Sequence, residues 1–176
     1  DQWDIGMLSM DGNHARKLLL AEKHAEAQPQ ISPDGQWIAY NSNELSGVMM
    51  KAEVYIRPFP DVDKGKWQVS TKGGNSSLWS RDGKELFYLS DDNSAMVVSV
   101  ETKPTFRLGI PKFLFKNSNL GVSAGSGTPW DIHPDGKRFL MIKPAGAAPS
   151  TGTGERPKIT IVLNWFEELK QRVPVK

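Results

Sequence analysis

Residues Ile31–Tyr40 (ISPDGQWIAY) read as a strand, a tight turn and a second strand. Pro33 presets φ at the first central position of a type I turn. Asp34 accepts hydrogen bonds from the backbone that follows it, and Gly35 takes the left-handed conformation that closes a bulged hairpin. The same unit recurs as Trp79-Ser80-Arg81-Asp82-Gly83 and as Ile132-His133-Pro134-Asp135-Gly136. Asp34, Asp82 and Asp135 follow one another at intervals of 48 and 53 residues. Arg81 in place of Pro is compatible with a type I turn, which accepts most residues there. One hairpin at the same place in each period of about fifty residues marks a repeat architecture.

The strands that follow repeat as well. After each Gly and one polar residue comes a strand, Trp37–Tyr40, Glu85–Tyr88 and Arg138–Met141. A third strand is expected at Glu53–Phe59, Ala95–Val100 and Lys158–Leu163, with period-two alternation at Val54 and Ile56 and at Met96, Val98 and Val100. A fourth is expected at Lys66–Ser70 and Lys112–Phe115. Four antiparallel strands, A to D, in a unit of this length make a propeller blade. A β-sandwich is the competing architecture, but it would not demand the repeated hairpin. Ahead of the first repeat, Gln2–Ser9, the turn Asp11-Gly12-Asn13 and Lys17–Leu20 read as strands C and D of a preceding blade.

The fold expected is therefore all-β: a partial β-propeller of about three four-stranded blades plus a two-strand stub, with a short C-terminal helix. The expected segments are 1–26 for the stub, 27–74, 75–126 and 127–164 for the blades, and 165–173 for the helix. Asn164 and Glu167 resemble a capping box, and Trp165, Phe166, Leu169 and Val173 share one helical face. Residues 145–157 form a loop of small residues without periodicity. Three blades and a stub fall short of the four to eight of closed propellers. The chain is expected to be a processed or excised piece of a longer propeller, or to complete a ring by association through exposed blade edges.

Composition narrows the function. Twenty-two Lys and Arg against 20 Asp and Glu make a net charge of +2, too even for a nucleic-acid footprint. No cysteine is present, which excludes a disulfide framework, a thiolate nucleophile and thiolate metal ligation. The longest apolar run, Ile159–Leu163, is far too short to span a bilayer.

The stretches QISPDGQWIAYNSN, EVYIRPFP, GKWQVSTKGG, LWSRDGKELFY and PKFLF resemble the TolB-like, WD-like β-propeller repeat of bacteria. The ending IVLNWFEELKQRVP resembles the C-terminus of one subgroup, the propellers of membrane-bound serine/threonine protein kinase-like sensor proteins. The resemblance implies a periplasmic or otherwise extracytoplasmic propeller that binds protein, peptide or a small ligand, as the sensor or interaction part of a larger protein. No kinase motif is present in this chain.

Searching for chemistry returns little. Gly121-Val122-Ser123-Ala124-Gly125 matches the nucleophile-elbow pattern but lacks the helix that must follow the serine. His14, His24 and His133 are scattered, without the close pairs of a zinc site. Asp61-Val62-Asp63-Lys64-Gly65 resembles the start of a calcium loop, but Gly is misplaced and Lys72 stands at the twelfth position. Asp91-Asp92-Asn93 reads as a turn. No catalytic residue, metal site or cofactor is assigned, and the chain is read as a non-enzyme. The alternative is the propeller of a prolyl-oligopeptidase-like or other hydrolase whose catalytic domain lies elsewhere.

A binding site is expected where the inter-blade connections end near the central channel. Gln28, Asn75, Ser76 and Thr128 offer hydrogen bonds there, beside Trp79 and Trp130, which hold similar places on the inner strands. The ligand class expected is a protein, a peptide or a small molecule, with no nucleic acid and no membrane span in this chain.

Overall fold

In the computed structural model, described for residues 3–48, 51–116 and 128–142, the repeated turns share one hydrogen-bond plan. Gly35 N–H donates to Ser32 C=O at 2.9 Å, Gly83 to Ser80 at 3.0 Å and Gly136 to His133 at 2.8 Å. The three glycines sit at φ 69°, 69° and 68°. Asp34, Asp82 and Asp135 each accept from the backbone N–H two residues on, at 3.1, 3.1 and 2.9 Å. Ser32 and Ser80 donate to the same aspartates. In the third copy His133 stands for Ser, and its Nδ1 accepts the Asp135 N–H at 3.2 Å. The turn at Ser90–Ser94 repeats the plan with Asn93 as the left-handed residue at φ 60°. In the stub turn it is His14, at φ 46°, and not Gly12 that takes the positive φ.

These turns join antiparallel strands. β1 (Ile5–Leu8) pairs with β2 (Arg16–Leu20) as the stub hairpin. The first complete blade runs β3 (Glu26–Ile31), β4 (Trp37–Ser42), β5 (Glu53–Pro58) and β6 (Trp67–Gln68), neighbours in that order. The second runs β7 (Asn75–Trp79), β8 (Glu85–Leu89) and β9 (Ser94–Glu101). Its fourth position is split. β10 (Arg107–Leu108) pairs with Val100 and Glu101, whereas β11 (Lys112–Lys116) pairs with Ser94–Val97. The single D strand expected at Lys112–Phe115 thus covers only one end of the eight-residue β9. The third blade shows its A–B hairpin, β12 (Trp130–Ile132) with β13 (Phe139–Met141). All of these residues belong to the unit Asp1–Pro144. The expected strand Lys158–Leu163, the loop 145–157, the C-terminal helix and the GVSAG motif lie outside the described residues. The architecture is all-β and a partial propeller.

The apolar residues show why the sheets stack. The sheets of the first two complete blades have two apolar faces, and each is covered on both sides by its neighbours. Ile38, Tyr40 and Tyr55 face Ile5 and Leu20 of the stub. Ala39, Val54 and Ile56 on the other face of that sheet meet Trp79, Leu86, Tyr88 and Val98. Phe87, Leu89 and Ala95 then face Trp130, with Phe139 and Met141 packed against them. Neighbouring residues of β4 and β8 alternate between the preceding and the following blade. That is why these strands read as apolar runs and not as apolar–polar alternation.

Candidate functional site

The A strands β3, β7 and β12 lie side by side, β7 in the middle. β3 and β7 each carry a β-bulge. The pairing of β3 with β4 shifts between Ala27 and Gln30, and that of β7 with β8 between Asn75 and Leu78. One extra residue is accommodated in each case, and the residue at the bulge turns left-handed: Gln28 at φ 52° and Ser76 at φ 53°. Such a conformation costs a non-glycine residue about 1–3 kcal/mol and needs compensation from its surroundings.

The compensation comes from neighbouring blades. A bulge removes a backbone N–H and C=O from the ladder, and buried groups of that kind must find partners. Ser76 N–H donates to Gln28 Oε1 at 2.8 Å, and the same oxygen accepts from Asn41 Nδ2 at 2.9 Å. Ser76 C=O accepts from Trp130 Nε1 at 2.7 Å. Ser76 Oγ donates to Asn75 Oδ1 at 2.9 Å, and Trp79 Nε1 donates to Gln30 C=O at 3.1 Å. Asn41 Oδ1 and Ser77 Oγ, beside the two bulges, are buried without a hydrogen-bond partner among the described residues.

The structure therefore links Gln28, Asn75, Ser76 and Trp130 in one chain of hydrogen bonds, with Trp79 tied to the same strand as Gln28. Thr128 is half-buried and stands immediately before the Pro129–Trp130 entry to β12. Trp79 and Trp130 are not in the same register. Counted from the turn aspartates, Ile132 is the counterpart of Trp79 and Ile31, and Trp130 that of Ser77 and Pro29. Both indoles are buried, at 8% and 3% exposure, and serve as packing between blades.

These six residues include no acid and no base. Ser76 is fully buried and its hydroxyl is directed to an amide oxygen, so it is not an activated nucleophile. The arrangement can offer and accept neutral hydrogen bonds; it cannot carry out acid–base chemistry. Among the described residues no group of three or more His, Asp or Glu could hold a metal ion. Asp61–Gly65 is a 3-10 turn at Val62–Lys64 with Val62 buried, not a metal loop. Asp92 pairs with Lys116 at 2.7 Å, which holds its carboxyl below the usual range together with Ser90 and Ser94.

A concavity of about 450 Å³ opens between the first two A–B turns, lined by Asp34, Trp37, Asp82, Lys84 and Lys103 among others. Its walls carry both signs of charge and select no ligand class. Sequence reasoning missed a third feature, a network around Arg57. Arg57 donates to Glu22, to Tyr40 Oη at 2.8 Å and to Val62 C=O at 3.3 Å, and is 7% exposed. Lys66 pairs with Glu44 and lies 4.6 Å from the centre of the Tyr55 ring. The only signal in the sequence is an arginine that follows the apolar run Val54–Ile56.

No family model matches this chain, and no curated protein matches it. Among solved structures it is similar to one described as "putative TolB from Agrobacterium tumefaciens". The identity is 19% and the TM-score 0.48, over 64% of this chain and 40% of that one. The match thus spans less than half the length of the solved protein. The propeller assignment rests on the repeated blades themselves.

Proposed function

We propose that this chain is a non-catalytic binding module that takes a peptide, protein segment or small ligand at the A-strand connections. The observation that carries the reading is the hydrogen-bonded row Gln28–Ser76–Trp130, in which three blades present neutral polar groups side by side. Asn75 and Thr128, half-buried at the entries to β7 and β12, supply the contacts to a ligand. An uncharged set of amides and hydroxyls suits a peptide backbone, whose donors and acceptors are neutral. In the same reading the chain is the sensor or interaction part of a larger bacterial protein on the extracytoplasmic side. That part of the proposal rests on the repeat resemblance.

The test is selection of phage-displayed heptapeptides on the purified chain, followed by binding of the enriched peptides to Asn75→Ala and Thr128→Ala variants. Loss of about tenfold in affinity, or 1.4 kcal/mol, in either variant supports the site. Enrichment with unchanged affinity for both variants removes the site, and absence of enrichment counts against a peptide ligand. Sustained turnover of ester or peptide substrates by this chain would overturn the non-catalytic reading.

A further inference from the structure

The stub hairpin meets the first complete blade along a seam rich in titratable side chains. Asp4 precedes β1, Glu22, Lys23 and His24 stand in the connection to β3, and Glu26 opens β3. The blade contributes Tyr40, Glu44, Tyr55, Arg57 and Lys66. Both of its cations are committed elsewhere: Arg57 to Glu22, and Lys66 to Glu44 and, at 3.6 Å, to the second carboxylate oxygen of Glu22. No ion pair among the described residues includes Glu26. Its side chain is 1% exposed, and its Oε1 is buried without a hydrogen-bond partner. Oε2 accepts only a long bond, 3.4 Å, from the Glu22 N–H. The Glu26 backbone N–H, meanwhile, donates to Trp3 C=O at 2.7 Å. The residue whose Oε1 lacks a partner is thus also the residue that ties down the start of the hairpin.

We propose that this seam is a proton-dependent latch: with a proton on Glu26 the hairpin β1–β2 docks on the blade, and loss of that proton loosens it. An ionised carboxylate buried without a partner is strongly disfavoured. Burial raises the Glu26 carboxyl above its ordinary value of 4.5, and the charges of Glu22 and Asp4 add to this; the Glu22 N–H and Lys66 offset it in part. For a raised acid the contribution to docking is complete below the ordinary value. It is lost as pH rises through the raised one. The hairpin is the element that yields, because its share of the core is small. Ile5 and Leu20 are its buried residues, while Leu8, Met10 and Leu18 are exposed. Opening uncovers Ile38, Tyr40 and Tyr55.

The experiment is hydrogen exchange of the full chain, read by mass spectrometry and corrected for the intrinsic pH dependence of exchange. Peptides covering β1–β2 are compared with peptides covering β8–β9 as the internal reference. Between pH 4.5 and pH 8, hairpin protection relative to the reference is expected to fall by about tenfold. In Glu26→Gln, which keeps the shape without the charge, relative protection stays level. An equal fall in Glu26→Gln, or no fall in the parent chain, overturns the proposal. Should Glu26→Gln not fold, Asp4→Asn decides: removing this exposed carboxylate, whose charge helps raise Glu26, moves the fall to lower pH, and an unmoved fall overturns the latch.

Discussion

The backbone N–H of Ser76 donates to the side-chain oxygen of Gln28 at 2.8 Å, across 48 residues of sequence and from one blade to the next. Both residues are left-handed, both sit on bulges of A strands, and they occupy the same position relative to their turn aspartates. A repeat thus uses its own irregularity as a joint: the donor freed by one bulge is satisfied by the side chain of the other.

Gln28→Ala removes the acceptor of both Ser76 N–H and Asn41 Nδ2. A buried donor left unpaired costs about 1–3 kcal/mol, so the unfolding free energy should fall by that amount, read as a lower urea midpoint with the slope unchanged. A loss below about 0.5 kcal/mol, the range of an ordinary surface substitution, would show the joint to be dispensable.

Two glycines separate strain from collision. At Gly83, φ +69°, an added Cβ meets only Pro33 Cδ at 3.7 Å. The cost of Gly83→Ala is that of a left-handed alanine, about 1–2 kcal/mol. At Gly73, φ +73°, the Cβ falls 1.9 Å from Asp91 Oδ1, so the carboxylate must move as well. Gly73→Ala should destabilise more than Gly83→Ala in the same urea series, and equal losses would contradict the geometry.

Arg57→Ala leaves the Tyr40 hydroxyl and the Val62 carbonyl without their guanidinium in a buried place. Breaking a buried pair costs about 3–5 kcal/mol. Glu22 is 37% exposed and can recover water, which brings the expectation to about 2–3 kcal/mol. Arg57→Met, which keeps the packing, should cost less than Arg57→Ala; thermal melts of the two distinguish lost volume from lost charge.

Two of the turn aspartates, Asp82 and Asp135, shape the acid limb of stability. The Lys137 N–H first, then Arg138 and His133, hold the Asp135 carboxyl down at about 2, and the Lys84 N–H and Ser80 hold Asp82 below its ordinary value. A carboxyl lowered by folding contributes stability that is present above its unfolded value near 3.8. That stability is lost as pH falls through the folded value. The melting temperature should therefore drop between about pH 4 and pH 2, and Asp135→Asn should flatten part of that slope. An identical slope in the variant would remove Asp135 from the account.

Much of the fold was legible because its signals are local. Pro33, Asp34 and Gly35 act within one turn, and their recurrence at Arg81-Asp82-Gly83 and Pro134-Asp135-Gly136 reveals the blade before any contact is known. Strands β4, β5, β8 and β9 follow from apolar runs that each end at a turn signal. The second D strand, Arg107–Leu108, was not legible, since a two-residue strand has no period to read. Gln28, Asn75, Ser76 and Thr128 were singled out as polar residues before inner strands. Their neighbourhood was legible, but the bond between Gln28 and Ser76 was not.

The sequence by itself determined the repeat, the four-stranded unit and the absence of a thiol or a paired-histidine site, because turn chemistry and residue type act over a few positions. Only the tertiary structure decided which side chains meet across blades. Bulges displace the register by one residue, and Gln28 then reaches Ser76 while Trp130 stands two positions away from the counterpart of Trp79. Arg57 looks solvent-facing in a strand of alternating residues, yet it is buried because the stub covers that face of the sheet. Both results depend on how whole sheets stack, a long-range relation that no local pattern records.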